Sequence, residues 1–347
     1  MIPTFDRRRF LLALPLLGAM PRLLAQSAAV PFRLRTFNHV TLTVSDLQRS
    51  IDFYQGLFGL PVQSRQGSET AALRIGAGPQ HLGLSTNPSS GVRTPRIDHM
   101  CVGIDGFDLD RLLQYLADHG VPRSEERGAM RVHVRMRGAG SGGAASGTPE
   151  VYLGDPDGVI VQLQDASYCA GSGPLGNACA AGEPSLKKGL ISPKAYSHCT
   201  VFSSDPQRSN RFYQQLFATG TRSYQGPAAP TIAVGPGVEF LMMTGGPANS
   251  AQSGRGSINH FCLSMDGFDT TRVIRALESF GIKPRESQAG PVPPMRHYIS
   301  MRLENRGGAK EGTPELYFTD PDGLLVQLQD VSYCGGAGVL GSICPQA

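Results

Sequence analysis

The sequence predicts an α+β protein that contains four copies of one β-α-β-β-β unit. Three observations lead to this prediction. The chain has 347 residues, which is too long for one ordinary hydrophobic core. Its 43 glycines and 26 prolines indicate many turns, as expected of a strand-rich fold. Long phrases also occur twice along the chain, which indicates duplication of a structural unit.

The first 27 residues have the pattern of an export signal. The phrase "DRRRFLLALPLLGAM" places arginines before a short apolar run, and "AQS" offers a small-residue cleavage site after Ser27. The pair Arg7-Arg8, followed by two apolar residues, resembles the twin-arginine export signal. We therefore expect a periplasmic or secreted protein that meets the membrane only during export. An ordinary secretory signal and an uncleaved anchor are the alternatives.

Charge and composition exclude a nucleic-acid partner. The formal net charge is +4, but four arginines and one aspartate lie in the predicted export signal. The rest of the chain has 28 basic and 27 acidic residues, so it offers no basic stripe for a phosphate backbone. Hydrophobic content of 40% and charged content of 17% are typical of a globular protein.

The cysteines agree with an oxidising compartment. Cys169 and Cys179 share their spacing with Cys334 and Cys344, and both pairs bracket Gly-rich segments. We predict one local disulfide in each pair, and a four-cysteine metal site is the alternative. The other three cysteines lie in apolar strand patterns and are expected to be buried thiols: Cys101, Cys199 and Cys262.

Internal repetition divides the chain into halves. The phrase "FNHVTLTVSDLQRSIDFYQGLFGL" (37–60) is echoed at 196–219, and "DPDGVIVQLQDASYC" (155–169) is echoed at 320–334. The offset grows from 159 to 165 residues, so small insertions separate the copies. Within each half, two strands that each carry a histidine precede a helix. We predict domains at 33–183 and 190–347, with modules at about 36–95, 96–165, 195–250 and 257–330.

Helical periodicity identifies the two helices of the first half. Apolar residues spaced along one face predict a helix at about 46–57 and another at about 109–119. Gly120 suits the end of the second helix. Short alternating runs such as "AALRI", "HLGLS" and "VHVRM" follow the helices and predict strands.

The chain resembles the vicinal oxygen chelate superfamily. The histidine-bearing first strand, "SDLQRSIDFYQGLFGL", "DHMCVGIDG" and the closing "DPDGxxxQ" occur in family order, twice, over 36–165 and 195–330. Members include glyoxalase I, methylmalonyl-CoA epimerase, the fosfomycin and bleomycin resistance proteins, and the extradiol dioxygenases. The resemblance implies two paired-module domains with curved, cup-like mixed sheets. It does not specify the reaction, because this fold supports many chemistries.

The same resemblance implies a divalent transition metal (Fe, Mn, Zn, Ni or Cu) held at the base of each cup. Strand alternation is compatible with this, because His39 lies on the face opposite Val40, and Gln162 on the face opposite Val161. A duplication could also have copied these residues without a present need for metal. The implied ligands are His39, His99 and Gln162 in the first half, and His198, His260 and Gln327 in the second.

Two departures from the family pattern concern the remaining ligands. Family metal enzymes usually have glutamate where this chain has Gln162 and Gln327, and an amide carbonyl brings no negative charge to the metal. Some members use a fourth ligand late in the first module. That position corresponds to Gly83 and Met242, so we expect no fourth ligand here.

Other candidate residues lie on the later strands of each half. Tyr152 and Tyr317 match a tyrosine that bonds a substrate oxygen in extradiol dioxygenases, although a packing role is the alternative. The histidine that those enzymes carry shortly before this tyrosine has no counterpart, which argues against ring cleavage. His133 and His297 are candidate general bases. Two arginines could bind a substrate carboxylate or phosphate, or simply lie on the surface: Arg131 and Arg296.

These features favour an exported metalloenzyme of the extradiol dioxygenase or glyoxalase kind, acting on a small molecule with two adjacent oxygens. An isomerase or lyase would suit the glutamine ligand better than a dioxygenase would. The alternatives are a binding protein that sequesters a small molecule, and a duplicated scaffold in which only one half binds. The sequence leaves the oligomeric state open.

Overall fold

A computed structural model of the protein describes residues 31–87, 93–226, 229–245 and 256–345. The predicted export signal at 1–27 therefore lies outside the described residues. The chain from Pro31 onward forms one compact unit. None of the helices in the described ranges is long and apolar enough to span a membrane.

The first half folds into one eight-stranded sheet with the order β2-β3-β4-β1-β5-β8-β7-β6. Strands β1 and β5 pair antiparallel at its centre, while β1 pairs with β4, and β5 with β8, in parallel. The elements are β1 Leu34–Thr43, α1 Leu47–Phe58, β2 Val62–Arg65, β3 Thr70–Arg74, β4 His81–Ser85, β5 Arg96–Ile104, α2 Leu109–Asp118, β6 Val132–Arg137, β7 Thr148–Gly154 and β8 Ile160–Asp165.

The second half repeats this plan as a nine-stranded sheet with the order β10-β11-β12-β9-β13-β17-β16-β15-β14. The prediction of an α+β fold with curved mixed sheets is confirmed, with one added short edge strand, β14. The elements are β9 Ala195–Ser203, α3 Pro206–Phe217, β10 Thr221–Tyr224, β11 Pro230–Ala233, β12 Phe240–Gly245, β13 Ser257–Met265, α4 Thr270–Ser279, β14 Lys283–Pro284, β15 Arg296–Arg302, β16 Thr313–Thr319 and β17 Leu325–Asp330. The domain boundaries at 33–183 and 190–347 stay a prediction.

Each helix begins after an aspartate whose side chain accepts a hydrogen bond from the backbone N–H three residues later. Such a cap satisfies a donor that the first helical turn leaves unpaired. Asp46 is therefore the cap of α1 and not its first residue, as its extended backbone shows. Helix α2 ends at Asp118, and Gly120 follows with φ +80° in the left-handed region. The four caps are Asp46, Asp108, Asp205 and Asp269.

One continuous hydrophobic core lies between the sheets and the helices, and residues of both halves contribute to it. On the central strands Val40 and Leu42 face this core, as do Val161 and Leu163 on β8. Strand alternation consequently turns the residues between them toward the concave face.

The repeated DPDG phrase forms a turn that docks on the opposite half. In the first half Asp155 Oδ1 accepts from the backbone N–H groups of Asp157 and Val159, both at 2.9 Å, and Gly158 has φ +80°. Asp157 then accepts from the Ser204 backbone N–H at 3.0 Å and from the Arg208 guanidinium of the second half.

The second half returns the same contact to the first. Asp322 accepts from the Ser45 backbone N–H at 3.0 Å and from the Arg49 guanidinium. Deeper in the interface, Tyr54 donates to Asp320 at 3.1 Å. Tyr213 does the same to Asp155 at 3.2 Å, so the two repeated phrases hold each other in a reciprocal interface.

Both predicted disulfides are present, Cys169–Cys179 and Cys334–Cys344. Each closes a loop directly after the last strand of its half. The other cysteines of the described residues are buried thiols, as predicted: Cys101, Cys199 and Cys262.

Candidate functional site

The concave face of the first sheet forms a cavity of about 610 Å³ that opens to solvent. We call it the first cup. Its base is polar, because the core takes the apolar residues of the same strands. Strands β1, β4, β5 and β8 each contribute one central side chain: His39, His81, His99 and Gln162.

A β-bulge precedes each of the two histidines on the central strands. The β1–β5 register shifts between Phe37 and His39, so Asn38 has no partner of its own, and it shifts again at Asp98. A bulge places neighbouring side chains on more nearly the same side of the strand. Asn38 and Asp98 can therefore contact the rings that follow them, which strict alternation would prevent.

These contacts fix the tautomer of His39. Its Nδ1 lies 2.9 Å from Asn38 Oδ1, and the Asn38 amide is itself oriented because its Nδ2 donates to the Tyr168 carbonyl at 2.7 Å. An amide oxygen accepts only, so His39 Nδ1 carries the hydrogen and Nε2 presents a lone pair. That lone pair points into the first cup, 3.2 Å from Gln162 Oε1.

His81 and His99 are held in the same way. His99 Nδ1 lies 2.9 Å from the Asp98 carboxylate, and His81 Nδ1 lies 3.1 Å from the Pro79 carbonyl. Both partners are acceptors, so Nδ1 carries a hydrogen in each ring and Nε2 is the nitrogen that points away from the partner. The His39 ring centroid lies 4.4 Å from that of His81 and 5.6 Å from that of His99.

Burial keeps two of these rings neutral. Desolvation, with smaller contributions from His81 and His99, holds the pKa of His39 well below its usual value of 6.5. Burial likewise lowers the pKa of His81 to about 4. Neutral imidazole is the form that binds metal ions.

The donor set fits a divalent cation. His39 Nε2 and Gln162 Oε1 both accept, yet they face each other with no hydrogen between them, while the buried Gln162 Nε2 has no partner. A cation would satisfy such converging lone pairs. No three His, Cys, Asp or Glu side chains of the described ranges form a ready-made metal cluster, so binding would depend on Gln162 as well.

A buried ionic network lies behind the base of the first cup. Arg137 Nε donates to Glu150 Oε1 at 2.7 Å, and the Tyr168 hydroxyl donates to the same oxygen at 3.0 Å. Tyr152 donates to Glu150 Oε2 at 3.1 Å. The predicted Tyr152 therefore lines the cup but is held by Glu150, and burial raises the pKa of its hydroxyl above the usual value.

The second sheet forms a cup of about 500 Å³ in which His198, His260, Gln327 and Tyr317 occupy the matching places. Phe240 replaces the third histidine and stacks on His198 with ring centroids 4.4 Å apart. Tyr317 donates to Glu315 at 3.2 Å, as Tyr152 does to Glu150 in the first half.

The tautomer of His198 is not fixed as that of His39 is. Its Nδ1 lies 3.2 Å from the Ser197 hydroxyl, which can donate or accept. With Ser197 as donor, His198 Nε2–H donates to Gln327 Oε1 at 3.0 Å, and the pair is satisfied without a cation. His260 does present a buried Nε2 without a partner. Gln327 Nε2 is also without a partner, as Gln162 Nε2 is. The second cup therefore differs from the first in having two imidazoles instead of three, and in a His198 tautomer that can satisfy Gln327.

Several predicted site residues lie away from the cups. Arg131 is half-exposed and pairs with Glu126, so it does not reach the base of the first cup. Arg296 pairs with Glu286, again outside the second cup. The expectation that these two arginines contact substrate in the cups must be corrected, because both precede the strand residues that face inward.

The two candidate bases are separated by strand alternation. His133 lies at the outer mouth of the first cup, with its Nδ1 3.4 Å from the Ser124 carbonyl. His297 lies on the opposite face of β15, where its Nε2 is 3.4 Å from Glu278 on α4. The prediction that His297 is a general base in the second cup is therefore wrong.

The sequence analysis missed His81, Glu150 and Arg135, which all line the first cup. The expectation of no fourth ligand late in the first module rests on Gly83 and stays a prediction, but it overlooks His81, which lies two residues earlier and opposite His39 in the β1–β4 register. Alternation in "HLGLS" places His81 and Gly83 on one face, which could have identified it.

Comparison with known proteins agrees with this architecture. Residues 36–163 match the family model of the Glyoxalase/Bleomycin resistance protein/Dioxygenase superfamily. A crystal structure of catechol 2,3-dioxygenase is 15% identical with a TM-score of 0.56, covering 88% of this chain and 88% of that chain. The family match supports the resemblance for residues 36–163, and the shared fold extends over both halves.

Two further solved structures have the same fold at similarly low identity. The Mn(II)-bound glyoxalase from Novosphingobium aromaticivorans is 18% identical, with a TM-score of 0.56 and coverage of 86% of this chain and 82% of that chain. Homoprotocatechuate 2,3-dioxygenase from Arthrobacter globiformis is 15% identical, with a TM-score of 0.56 and coverage of 85% and 79%. At these identities the likeness shows the fold alone.

Proposed function

We propose that the first cup is the divalent-metal site of an exported enzyme of the extradiol dioxygenase or glyoxalase kind. The observation that supports this most is the set of three buried imidazoles whose Nδ1 atoms all meet acceptors, which turns their Nε2 lone pairs into one cavity. Such hydrogen bonds behind the ligands are typical of metal-binding histidines.

His39, His99 and Gln162 would hold the metal, and His81 would support His39 by stacking on its ring. A bound divalent metal would act as a Lewis acid toward two adjacent oxygens of a small substrate. The metal is not specified by these ligands, because imidazole and amide donors suit several transition metals. Mn(II)-bound and dioxygenase relatives of this fold make a divalent ion the reasonable choice.

The protein would contribute orientation and exclusion of water. Strands β1, β4, β5 and β8 form the base of the first cup, and Asn38 and Asp98 fix the rings before substrate arrives. Preformed donors need no reorganisation when charge develops on a substrate oxygen. Tyr152 stays protonated and is aligned by Glu150, so it can only help to position a substrate oxygen.

The second cup is proposed as support and not as a second metal site. Its reciprocal DPDG interface contacts the first half. Phe240 takes the place of the third histidine, and the Ser197–His198 hydrogen bond does not fix the imidazole tautomer. We therefore propose a metal site in the first half only, and not in both halves.

Sequestration of a small molecule without turnover is the second candidate function. It is favoured by the pairing of the acids that line the first cup, since Glu150 is bound to Arg137 and Asp98 to Arg96. Both carboxylates are therefore engaged in ion pairs instead of facing a substrate proton. A metal-dependent isomerase or lyase would need a base from the substrate or from His133 at the mouth.

Metal titration tests the site. Protein purified from the periplasm should bind about one equivalent of Zn²⁺ by calorimetry and elemental analysis. His99→Ala should lose this binding, while the matched His260→Ala should keep it. Less than about 0.1 equivalent after reconstitution would contradict the metal site. Export itself is tested by fractionation, in which Arg7→Lys with Arg8→Lys should keep the protein in the cytoplasm.

A further inference from the structure

We propose that the first cup binds its substrate through a carboxylate, which Arg135 holds at the mouth. This inference rests on the proposed function, because it names the substrate class of the same site. It would make the substrate an organic monoanion with its two adjacent oxygens at the opposite end.

Arg135 spans the passage between the base and the mouth of the first cup. It lines both the inner cavity with the histidines and an outer cavity that opens at the mouth. Its side chain is 41% exposed, and Nε lies 3.7 Å from Glu150 Oε2, beyond hydrogen-bond distance. The guanidinium therefore keeps N–H groups for a ligand entering the cup.

Arg127 lies beside the same passage on the opposite side of Tyr152. Its guanidinium stacks over the Tyr152 ring at 3.6 Å from the centroid and lies 3.8 Å from the Asp98 carboxylate. The side chain is 12% exposed and contributes to the outer cavity. Stacking fixes the plane of this guanidinium beside the passage, so Arg127 adds a positive charge close to Arg135.

The local charges leave room for one anionic group. Two nearby carboxylates already have closer partners, since Glu150 is bound to Arg137 at 2.7 Å and Asp98 to Arg96 at 2.5 Å. Glu69 at the outer rim is the third, and the Asn87 amide donates to it at 2.9 Å. Arg135 is thus the guanidinium in the inner lining of the first cup, and its Nε lies beyond hydrogen-bond distance of the nearest carboxylate. A single guanidinium in this position matches the single charge of a carboxylate better than a phosphate dianion.

The second cup lacks this arrangement, although its backbone is the same. Ser300 occupies the strand position of Arg135, and Tyr298 that of His133. The guanidinium near Tyr298 belongs to Arg285, which donates to the Gln288 and Gly290 carbonyls at 3.2 and 2.6 Å. Duplication therefore does not explain Arg135, because the repeat did not keep it.

The geometry also orients the ligand. The lone pairs of His39, His99 and Gln162 lie at the base of the first cup, and the arginines lie nearer the mouth. A compound with a carboxylate at one end and two adjacent oxygens at the other would satisfy both ends at once. Protocatechuate has this layout, and its primary amide has the same shape without the charge.

Binding of this pair to the full mature protein tests the inference. In calorimetry with the redox-inert Zn²⁺ form, protocatechuate should bind about tenfold tighter than its amide, as expected for charge-assisted hydrogen bonds. Arg135→Gln should reduce that preference to below about threefold without weakening amide binding more than about twofold. The matched control is Arg131→Gln, which removes an exposed arginine that lies directly before strand β6. This variant should keep the preference for the acid.

Three outcomes would overturn the carboxylate site: equal binding of acid and amide by the wild type, an unchanged preference in Arg135→Gln, or no measurable binding of the acid. A metal-free His39→Ala, His99→Ala double variant separates this inference from the proposed function. If the acid-over-amide preference persists there while the wild type binds no metal, the carboxylate site stands and the metal site fails.

Discussion

The two cups differ at their bases although the networks behind them are the same. Behind each cup a buried arginine, a glutamate and two tyrosines form identical hydrogen bonds, and the arginine also donates to a carbonyl of the disulfide loop at 2.9 Å. At the base, the first cup has His81 where the second has Phe240. The shared network is therefore a requirement of the fold, whereas His81 belongs to one site only. Duplication by itself would have left the same residue in both cups.

The repeated "DPDG" phrases serve the interface between the two halves. They are kept because each one docks on the helix start of the other half, where Asp157 and Asp322 accept from serine N–H groups. Their glutamines, Gln162 and Gln327, follow the same turn and each faces the first-strand histidine of its half. The neighbour of that histidine differs, since it is Asn38 in the first half and Ser197 in the second. Repetition of a sequence phrase therefore indicates a shared interface and not two equal sites.

The largest expected effect comes from the network that both halves share. Arg137→Met would leave the buried Glu150 carboxylate without its partner and should cost about 3–5 kcal/mol of unfolding free energy. Arg302→Met should cost a similar amount, because its pairing with Glu315 is the same. Urea denaturation measures both, with Arg131→Gln as a surface control. A clear inequality between the two would show that the networks are not equivalent.

Exchange of the residues that differ tests the bases of the two cups. His81→Phe should weaken Zn²⁺ binding by about tenfold to a hundredfold, the range found when metal-site support is removed. Phe240→His should in turn improve binding in the second cup, and calorimetry would detect a second, weaker equivalent. If His81→Phe leaves the affinity unchanged, His81 only packs against His39.

A charge at the glutamine position gives a smaller effect. Gln162→Glu should tighten Zn²⁺ binding by about tenfold, because a carboxylate brings a negative charge to the cation. Gln327→Glu should have little effect on metal content, since His198 Nε2–H can already donate to that side chain. Competition with a chelator would measure both variants. Equal tightening by the two substitutions would contradict the assignment of metal to the first cup.

The smallest expected effect is on the pH dependence of stability, and it comes from the junction between the halves. Gln80 and Glu239 occupy matching positions and each bonds the opposite first strand, Gln80 to the Tyr196 N–H at 3.2 Å and Glu239 to the Phe37 N–H at 2.7 Å. Burial raises the pKa of Glu239 from 4.5 to about 7. Its contribution to stability is therefore full below about pH 4.5 and is lost as the pH rises through about 7.

Glu239→Gln should remove this pH dependence. Relative to the wild type, the variant should gain about 1 kcal/mol in unfolding free energy between pH 4.5 and pH 8, a modest figure because the side chain is partly exposed. Urea denaturation at the two pH values measures it, and exposed Glu311→Gln is the control. An equal pH dependence in wild type and Glu239→Gln would show that Glu239 is ionised throughout.

Much of the fold could be predicted from the sequence because the determining patterns are local. Alternation on β1 and β8 correctly placed His39 and Gln162 on the concave face, and the loop spacing predicted both disulfides. His81 was missed because it is joined to His39 only by the parallel β1–β4 register, which depends on how far β4 slides along β1. Arg135 was missed because alternation did not distinguish it from Arg131 and Arg137.

The sequence by itself determined the α+β fold, the duplication, the disulfides and the candidate donors on each strand, since helix caps, strand alternation and loop spacing act over short distances. The tertiary structure alone decided which donors present lone pairs. That depends on bulges that bring Asn38 and Asp98 beside their histidines, and on contacts 130 residues apart such as Asn38 with Tyr168. The two halves have nearly the same phrases, but Asn38 lies beside His39 whereas Ser197 lies beside His198, and for this reason only the first of these two histidines has a fixed tautomer.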